Sequence, residues 1–168
     1  MTKTLYIILL FFSAQLIFSA EIIGKVVGIS DGDTITIIDT SNSRYRIRLD
    51  RIDAPERRQP FGEKSKQYLS SLIFGKKVRI VYKHKDRYGR ILGVVFCENK
   101  EINLLIVQHG MAWHYSYYDQ TECYAAAERE ARRKKIGLWS DPNPVNPYDF
   151  RKRKRTQKNA KISHSGGD

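Results

Sequence analysis

The chain has 168 residues, with 30 Lys+Arg against 18 Asp+Glu and a formal charge of +12. That length excludes a large multidomain enzyme, and that charge favours a polyanionic partner, whether nucleic acid or an anionic surface. A 41% hydrophobic share with ten tyrosines suffices for a core and excludes a wholly disordered chain.

Residues 1–20 contain one lysine, Lys3, then an apolar run closing on Ser19-Ala20. This is the outline of a secretory signal peptide. The run is interrupted by Ser13 and Gln15 and is shorter than the roughly 20 apolar residues of a membrane span. Cleavage near Ala20 and a secreted or periplasmic location are expected, with no membrane contact after the leader is removed.

Residues 22–29 and 34–38 read as strands around an Asp-Gly turn. Residues 44–50 alternate Tyr45, Ile47 and Leu49 with Arg44, Arg46, Arg48 and Asp50, the pattern of a half-buried strand. Residues 63–74 place Tyr68, Leu69, Leu72 and Ile73 at helical spacing before Gly75. Two further strands, 78–82 and 91–97, flank a polar loop at 84–90. A short helix is expected over 103–108. A longer one is expected from a Thr121 cap to Lys135, with Glu128, Glu130, Arg132 and Lys134 on its outer side. Leu138-Trp139 then folds back as an apolar plug. This order predicts a β-rich α+β domain: a five-stranded OB-fold Greek-key barrel with about three flanking helices. It occupies residues 21–150, followed by a basic, disordered tail over 151–168 that holds seven basic residues and one acid. The tail reads either as a solubilising terminus or as an arm that holds polyanions.

Cys97 and Cys123 suit an exported protein. Pairing them would contribute about 3.5 kcal/mol by loop entropy, and two free thiols are the equal alternative. Neither a CxxC pair nor a Cys/His cluster at zinc spacing is present. The four histidines lack a Ser or Cys partner in a nucleophilic arrangement and read as surface or packing residues.

Three segments carry chemistry: Asp31-Gly32-Asp33-Thr34, the run from Arg48 to Glu56, and Asp86-Arg87-Tyr88-Gly89-Arg90. Asp33 and Asp53 are hard oxygen donors suited to Ca²⁺ or Mg²⁺ if the first hairpin packs beside the end of the third strand. Pro55 biases Ala54 to an extended conformation, which offers its carbonyl as a further ligand. Glu56 lies near enough to orient or deprotonate a water. Arg48, five residues before Asp53 on the same strand, and Arg90, from a separate loop, can grip a phosphate from two sides. Tyr88 offers a stacking face. Three carboxylates where a phosphate must sit would repel it unless a cation bridges them.

With these motifs in this order, residues 21–140 resemble the staphylococcal nuclease-like (thermonuclease) family. The resemblance rests on Asp-Gly-Asp-Thr, the Arg48, Asp53 and Glu56 spacing, the Tyr-Gly-Arg loop and the closing Gly137-Leu138-Trp139. It implies an OB-fold endonuclease that cleaves DNA and RNA with Ca²⁺ and leaves 3′-phosphate and 5′-hydroxyl ends. By position it implies Asp33, Asp53 and the Ala54 carbonyl as calcium ligands, and Glu56 as the residue that activates water. Arg48 and Arg90 become the phosphate clamps and Tyr88 a nucleotide contact. Ala54 stands where the best-known member has threonine. Tyr115 and Tyr118 read equally as nucleotide contacts or as barrel-wall packing. No stable protein partner is implied and a monomer is expected. The alternative function is a non-catalytic nucleic-acid-binding OB-fold module.

Overall fold

The computed structural model describes residues 20–164; residues 1–19 of the expected leader lie outside that range. Two hairpins and one parallel closure build the barrel. β1 (Ala20–Asp31) and β2 (Thr34–Ile38) pair around Gly32-Asp33, and β2 pairs in turn with β3 (Arg44–Leu49). On the other side of β1 lies β5 (Lys77–Lys85), which turns through residues 86–90 into β6 (Ile91–Cys97). β3 and β6 then meet in parallel, Ile47 opposite Ile91 and Leu49 opposite Gly93, and close the five-stranded barrel.

Period-two patterning explains the interior. Val26, Ile35, Ile37, Ile47, Val78, Ile80, Ile91 and Val95 all face inward and are buried. α1 (Gly62–Ile73) covers one end with Ser65, Leu69 and Ile73, one helical turn apart. α2 (Ile102–Gln108) follows the short β7 (Lys100–Glu101). α3 (Glu122–Arg133) packs on α2 through Tyr124 and Ala127, while Ala131 joins Leu138 and Trp139. Two-residue strands β4 (Ile52–Asp53) and β8 (Trp113–His114) pair beside the barrel rim. A 3₁₀ turn at Gly137–Ser140 buries Leu138 and Trp139 as the expected plug, with the Trp113 and Trp139 rings edge to face at 4.5 Å.

Several expectations change. Residues 151–164, expected as part of a disordered tail, belong to a fourth helix, α4 (Pro147–His164). The physical reason lies just upstream. The Asn146 side chain accepts the Tyr148 N–H at 2.9 Å, and Pro147 takes the first helical position, where no N–H is needed. Lys and Arg are good helix formers, so a capped start carries the basic run into a helix.

Thr121 does occupy the cap position of α3, but its side chain makes no cap hydrogen bond; its hydroxyl donates to Asp119 at 2.7 Å. Glu128 turns inward, where it accepts the His114 N–H and ties β8 to α3. Both cysteines are free, Cys97 buried on β6 and Cys123 exposed on α3. Among the described residues no helix is long and apolar enough to cross a membrane.

Candidate active site

One cleft of about 1050 Å³ opens at the barrel rim. It collects Asp33, Arg48, Ala54, Glu56, Tyr88, Arg90, Tyr115 and Tyr118, all eight expected from sequence, while Asp53 lies almost wholly buried beneath them.

The way Arg48 and Asp53 meet differs from the single-strand expectation. Five residues along one strand would separate them by about 16 Å. The strand instead ends at Leu49, and Arg51 adopts a left-handed conformation at φ 67°. That turn folds β4 back, so the Arg48 Nη2 donates to Asp53 Oδ1 at 2.9 Å. Asn103, fully buried at the start of α2, clamps the turn. Its Nδ2 donates to the Asp50 and Gly93 carbonyls, and its Oδ1 accepts the Val95 N–H. Nothing in the sequence marks Asn103, because its three partners are backbone groups from distant positions.

Asp33 arrives as anticipated from the first hairpin. Its carbonyl accepts the Leu49 N–H at 2.8 Å, and its Oδ2 accepts the Ala54 N–H at 2.8 Å and pairs with Arg48 Nη1. One guanidinium thus bridges two buried carboxylates. Burial pulls the Arg48 pKa down, but Asp33 and Asp53 outweigh it and hold it above the usual value. Burial also raises Asp53, against the opposing pull of Arg151 and Arg48. Asp31, within the same cleft, is raised to about 6, by burial first and the charge of Asp33 second. Asp31 belongs to the Asp-Gly-Asp-Thr motif, in which spacing alone assigns it no role.

The parallel register sets Arg90. Ile91 stands opposite Ile47, so the residue before it reaches the same rim as Arg48. Asp86 accepts both the Arg90 backbone N–H and its Nε–H, at 2.9 and 2.7 Å, and the Arg90 guanidinium lies 5.6 Å from the Tyr88 ring. Tyr88 is 69% exposed. Tyr115 packs edge to face on Tyr118 at 4.8 Å, and both line the cleft; Tyr118 is 73% exposed and is no part of the barrel wall. His84 lines the cleft, His109 packs against Tyr68, and His114 is buried against Asp119.

The residue that sequence reasoning missed is Arg151. From α4 its Nη1 donates to Asp53 Oδ1 at 3.0 Å and to Glu56 Oε1 at 2.9 Å, while Nη2 donates to Asp53 Oδ2 at 2.9 Å. The one local signal was Asn146-Pro147-Tyr148-Asp149, a helix start that places Arg151 one turn in.

Asp33, Asp53 and Glu56 supply only hard oxygen donors, the chemistry of a Ca²⁺ or Mg²⁺ site rather than of a zinc or copper one. Among the described residues no group of three or more His, Cys, Asp or Glu side chains is placed to hold a metal ion. Arg48 and Arg151 bridge these acids instead. The donor set fits a hard divalent cation; its present spacing is held by the two guanidiniums.

A closed five-stranded barrel with flanking helices and this acid–arginine cleft at its rim defines an OB-fold α+β domain. A sequence model of staphylococcal nuclease homologues matches residues 46–141. A relative from Haemophilus influenzae, named an uncharacterized endonuclease, is 47% identical over 131 residues, covering 78% of this chain and 74% of the relative. One of the same name from Escherichia coli is 43% identical over 155 residues, 92% of this chain and 100% of the relative. A micrococcal nuclease of Shigella flexneri is 43% identical over 153 residues, 84% of this chain and 85% of the relative. The chain belongs to the staphylococcal nuclease homologue family.

Proposed function

We propose that the protein is an exported endonuclease that hydrolyses phosphodiester bonds of DNA and RNA with Ca²⁺ as cofactor and leaves 3′-phosphate ends. The observation that carries this reading is the convergence of Arg48, Arg90 and Glu56 on one cleft above Asp33 and Asp53. The relatives' names, nuclease and endonuclease, support the same class of reaction. Export rests on the leader pattern of residues 1–20.

When bound, the cation supplies charge neutralisation between acids and phosphate and polarises the phosphoryl oxygens. Asp33 and Asp53, with the Ala54 carbonyl, would hold it. Glu56, whose side chain is 42% exposed, is reachable by water and takes its proton as the water oxygen attacks phosphorus. The P–O5′ bond breaks, the 5′ oxygen takes a proton from solvent water and leaves as a hydroxyl, and the phosphate stays on the 3′ oxygen. Arg48 and Arg90 stabilise the charge growing on the equatorial oxygens. Arg48 is anchored by Asp33 and Asp53 and Arg90 by Asp86, which lowers the cost of orienting them for a phosphate. Tyr88, Tyr115 and Tyr118 present ring faces to the nucleotides beside the scissile bond.

The test is cleavage of plasmid DNA and of RNA by the mature protein with Ca²⁺, with chelator, and with Glu56→Gln. Cleavage that needs Ca²⁺ and falls by about 10²–10³ in the variant is the expected outcome. Arg48→Ala is a poorer probe, because removing a guanidinium between two buried carboxylates destabilises a protein by about 3–5 kcal/mol. DNA that is bound but never cut would overturn the reading and leave a binding module.

A further inference from the structure

Among the described residues, Arg151 is the one guanidinium of the cleft that comes from α4, beyond the barrel and its connecting turns. The family match ends at residue 141, and α4 begins six residues later. Among residues 147–157, every hydrogen bond or ion pair from an α4 side chain to the rest of the chain comes from Arg151. Beyond it, residues 152–157 are all exposed. The segment before the helix is pinned separately, by Gln59 Nε2 donating to the Val145 carbonyl at 2.5 Å. Arg151 therefore sits on a fixed hinge at one end and a solvated helix at the other.

Its partners decide what it can do. Arg48 lies mostly buried on β3, where it pairs with Asp33 and donates to Asp53 Oδ1, and is part of the rim itself. Arg151 is 39% exposed and takes both oxygens of Asp53 together with one of Glu56. These are the carboxylate proposed to hold the cation and the one proposed to take the proton of water. A planar guanidinium with several donors supplies the same positive charge to the same oxygens that a divalent cation would claim. Asp53 already carries Arg48 on Oδ1, so a divalent cation and Arg151 held there together would repel each other across a few ångströms.

We propose that Arg151 is the resident counter-charge of the Asp53–Glu56 pair and that it is exchanged for the divalent cation when the site loads, so that α4 sets the affinity of the site for metal. The proposal rests on the cation-dependent reading above. Arg151 is then a positioning residue: it keeps Asp53 and Glu56 side by side before loading, and it makes loading weaker than the carboxylates alone would dictate. A charge-assisted pair of this kind, discounted for its exposure, corresponds to about a tenfold effect on an equilibrium.

The experiment titrates the full-length mature protein with Ca²⁺ alone, without nucleic acid, by calorimetry, and follows thermal unfolding with and without Ca²⁺. Arg151→Gln is expected to bind Ca²⁺ about tenfold more tightly and to melt at a lower temperature in chelator. Arg151→Lys, which keeps the charge but cannot fork, falls between the two. A purely structural tether for α4 would lower the melting temperature and leave the Ca²⁺ dissociation constant unchanged. An unchanged or weaker affinity in both variants overturns the exchange while leaving the nuclease reading intact. Absence of Ca²⁺ binding in wild type and variants alike overturns both. Should Arg151→Gln fail to fold, the dissociation constant of Arg151→Lys against wild type decides the matter.

Discussion

Gly32→Ala tests how tightly the first hairpin is docked against the site. A Cβ added at Gly32 would lie 2.0 Å from the Ser65 Oγ and 2.8 Å from both the Ala54 Cβ and the Ser65 Cβ. Comfortable carbon contacts lie at about 3.5–4.0 Å. Ser65 cannot give way freely: it is fully buried on α1, and its hydroxyl donates to the Met111 carbonyl at 2.6 Å. Ala54 is itself held by its N–H bond to Asp33. The overlap must then be relieved by lifting the hairpin by about 1 Å, and Asp33, the next residue, moves with it. Overpacking of this sort costs about 1–3 kcal/mol, and a displacement near 1 Å at a catalytic constellation costs about 10²-fold in rate. Urea denaturation and the rate of DNA cleavage measure the two effects separately. Ser65→Gly removes both Ser65 atoms from the clash, so Gly32→Ala with Ser65→Gly should be more stable than the sum of the single changes by about 1 kcal/mol. A Gly32→Ala variant with wild-type midpoint and wild-type cleavage rate would refute the tight docking.

Two other changes probe the frame around the site. Asn103→Ala leaves the Val95 N–H and the Asp50 carbonyl without their buried partner, so a loss of about 3 kcal/mol and a melting temperature lower by about 6–12 °C are expected; a shift under about 2 °C would show that the turn before Asp53 does not depend on this clamp. Asp119 is pushed up by burial, but hydrogen bonds from Thr121 and His114, with Arg51 nearby, hold it below its ordinary pKa of 3.8. Because the folded value lies below the unfolded one, its contribution is present above the unfolded value and lost as pH falls through the folded one. The stability difference between wild type and Asp119→Asn, about 1 kcal/mol, should therefore hold at pH 5–7 and shrink below about pH 4, as read from urea midpoints; a difference independent of pH would exclude the carboxylate as its source.

The barrel and most of the cleft were legible in the sequence because both rest on short-range rules. Alternation in residues 44–49 sets which side chains of β3 face water, and the Asp-Gly turn returns β1 upon β2. The order of Asp33, Arg48, Asp53, Glu56 and Arg90 along the chain already grouped the charges that line one rim. What only the tertiary structure decided depends on contacts between residues far apart in sequence. The fold-back at Arg51 converts a separation of about 16 Å along a strand into a hydrogen bond. The Asn103 clamp joins three backbone groups that no periodicity connects. Glu128 turns inward because β8 offers it a backbone N–H, although its helical position matches an outer face. Arg151 shows the limit most plainly. In composition it is one basic residue among seven at the end of the chain, and net charge says only that such a segment favours anions. Its place against Asp53, 98 residues away, follows from the cap at Asn146, the pin at Val145 and the direction in which α4 leaves the barrel. Local free-energy differences write the elements into the sequence; the partner of a charged side chain is settled only where the folded chain brings its counter-charge.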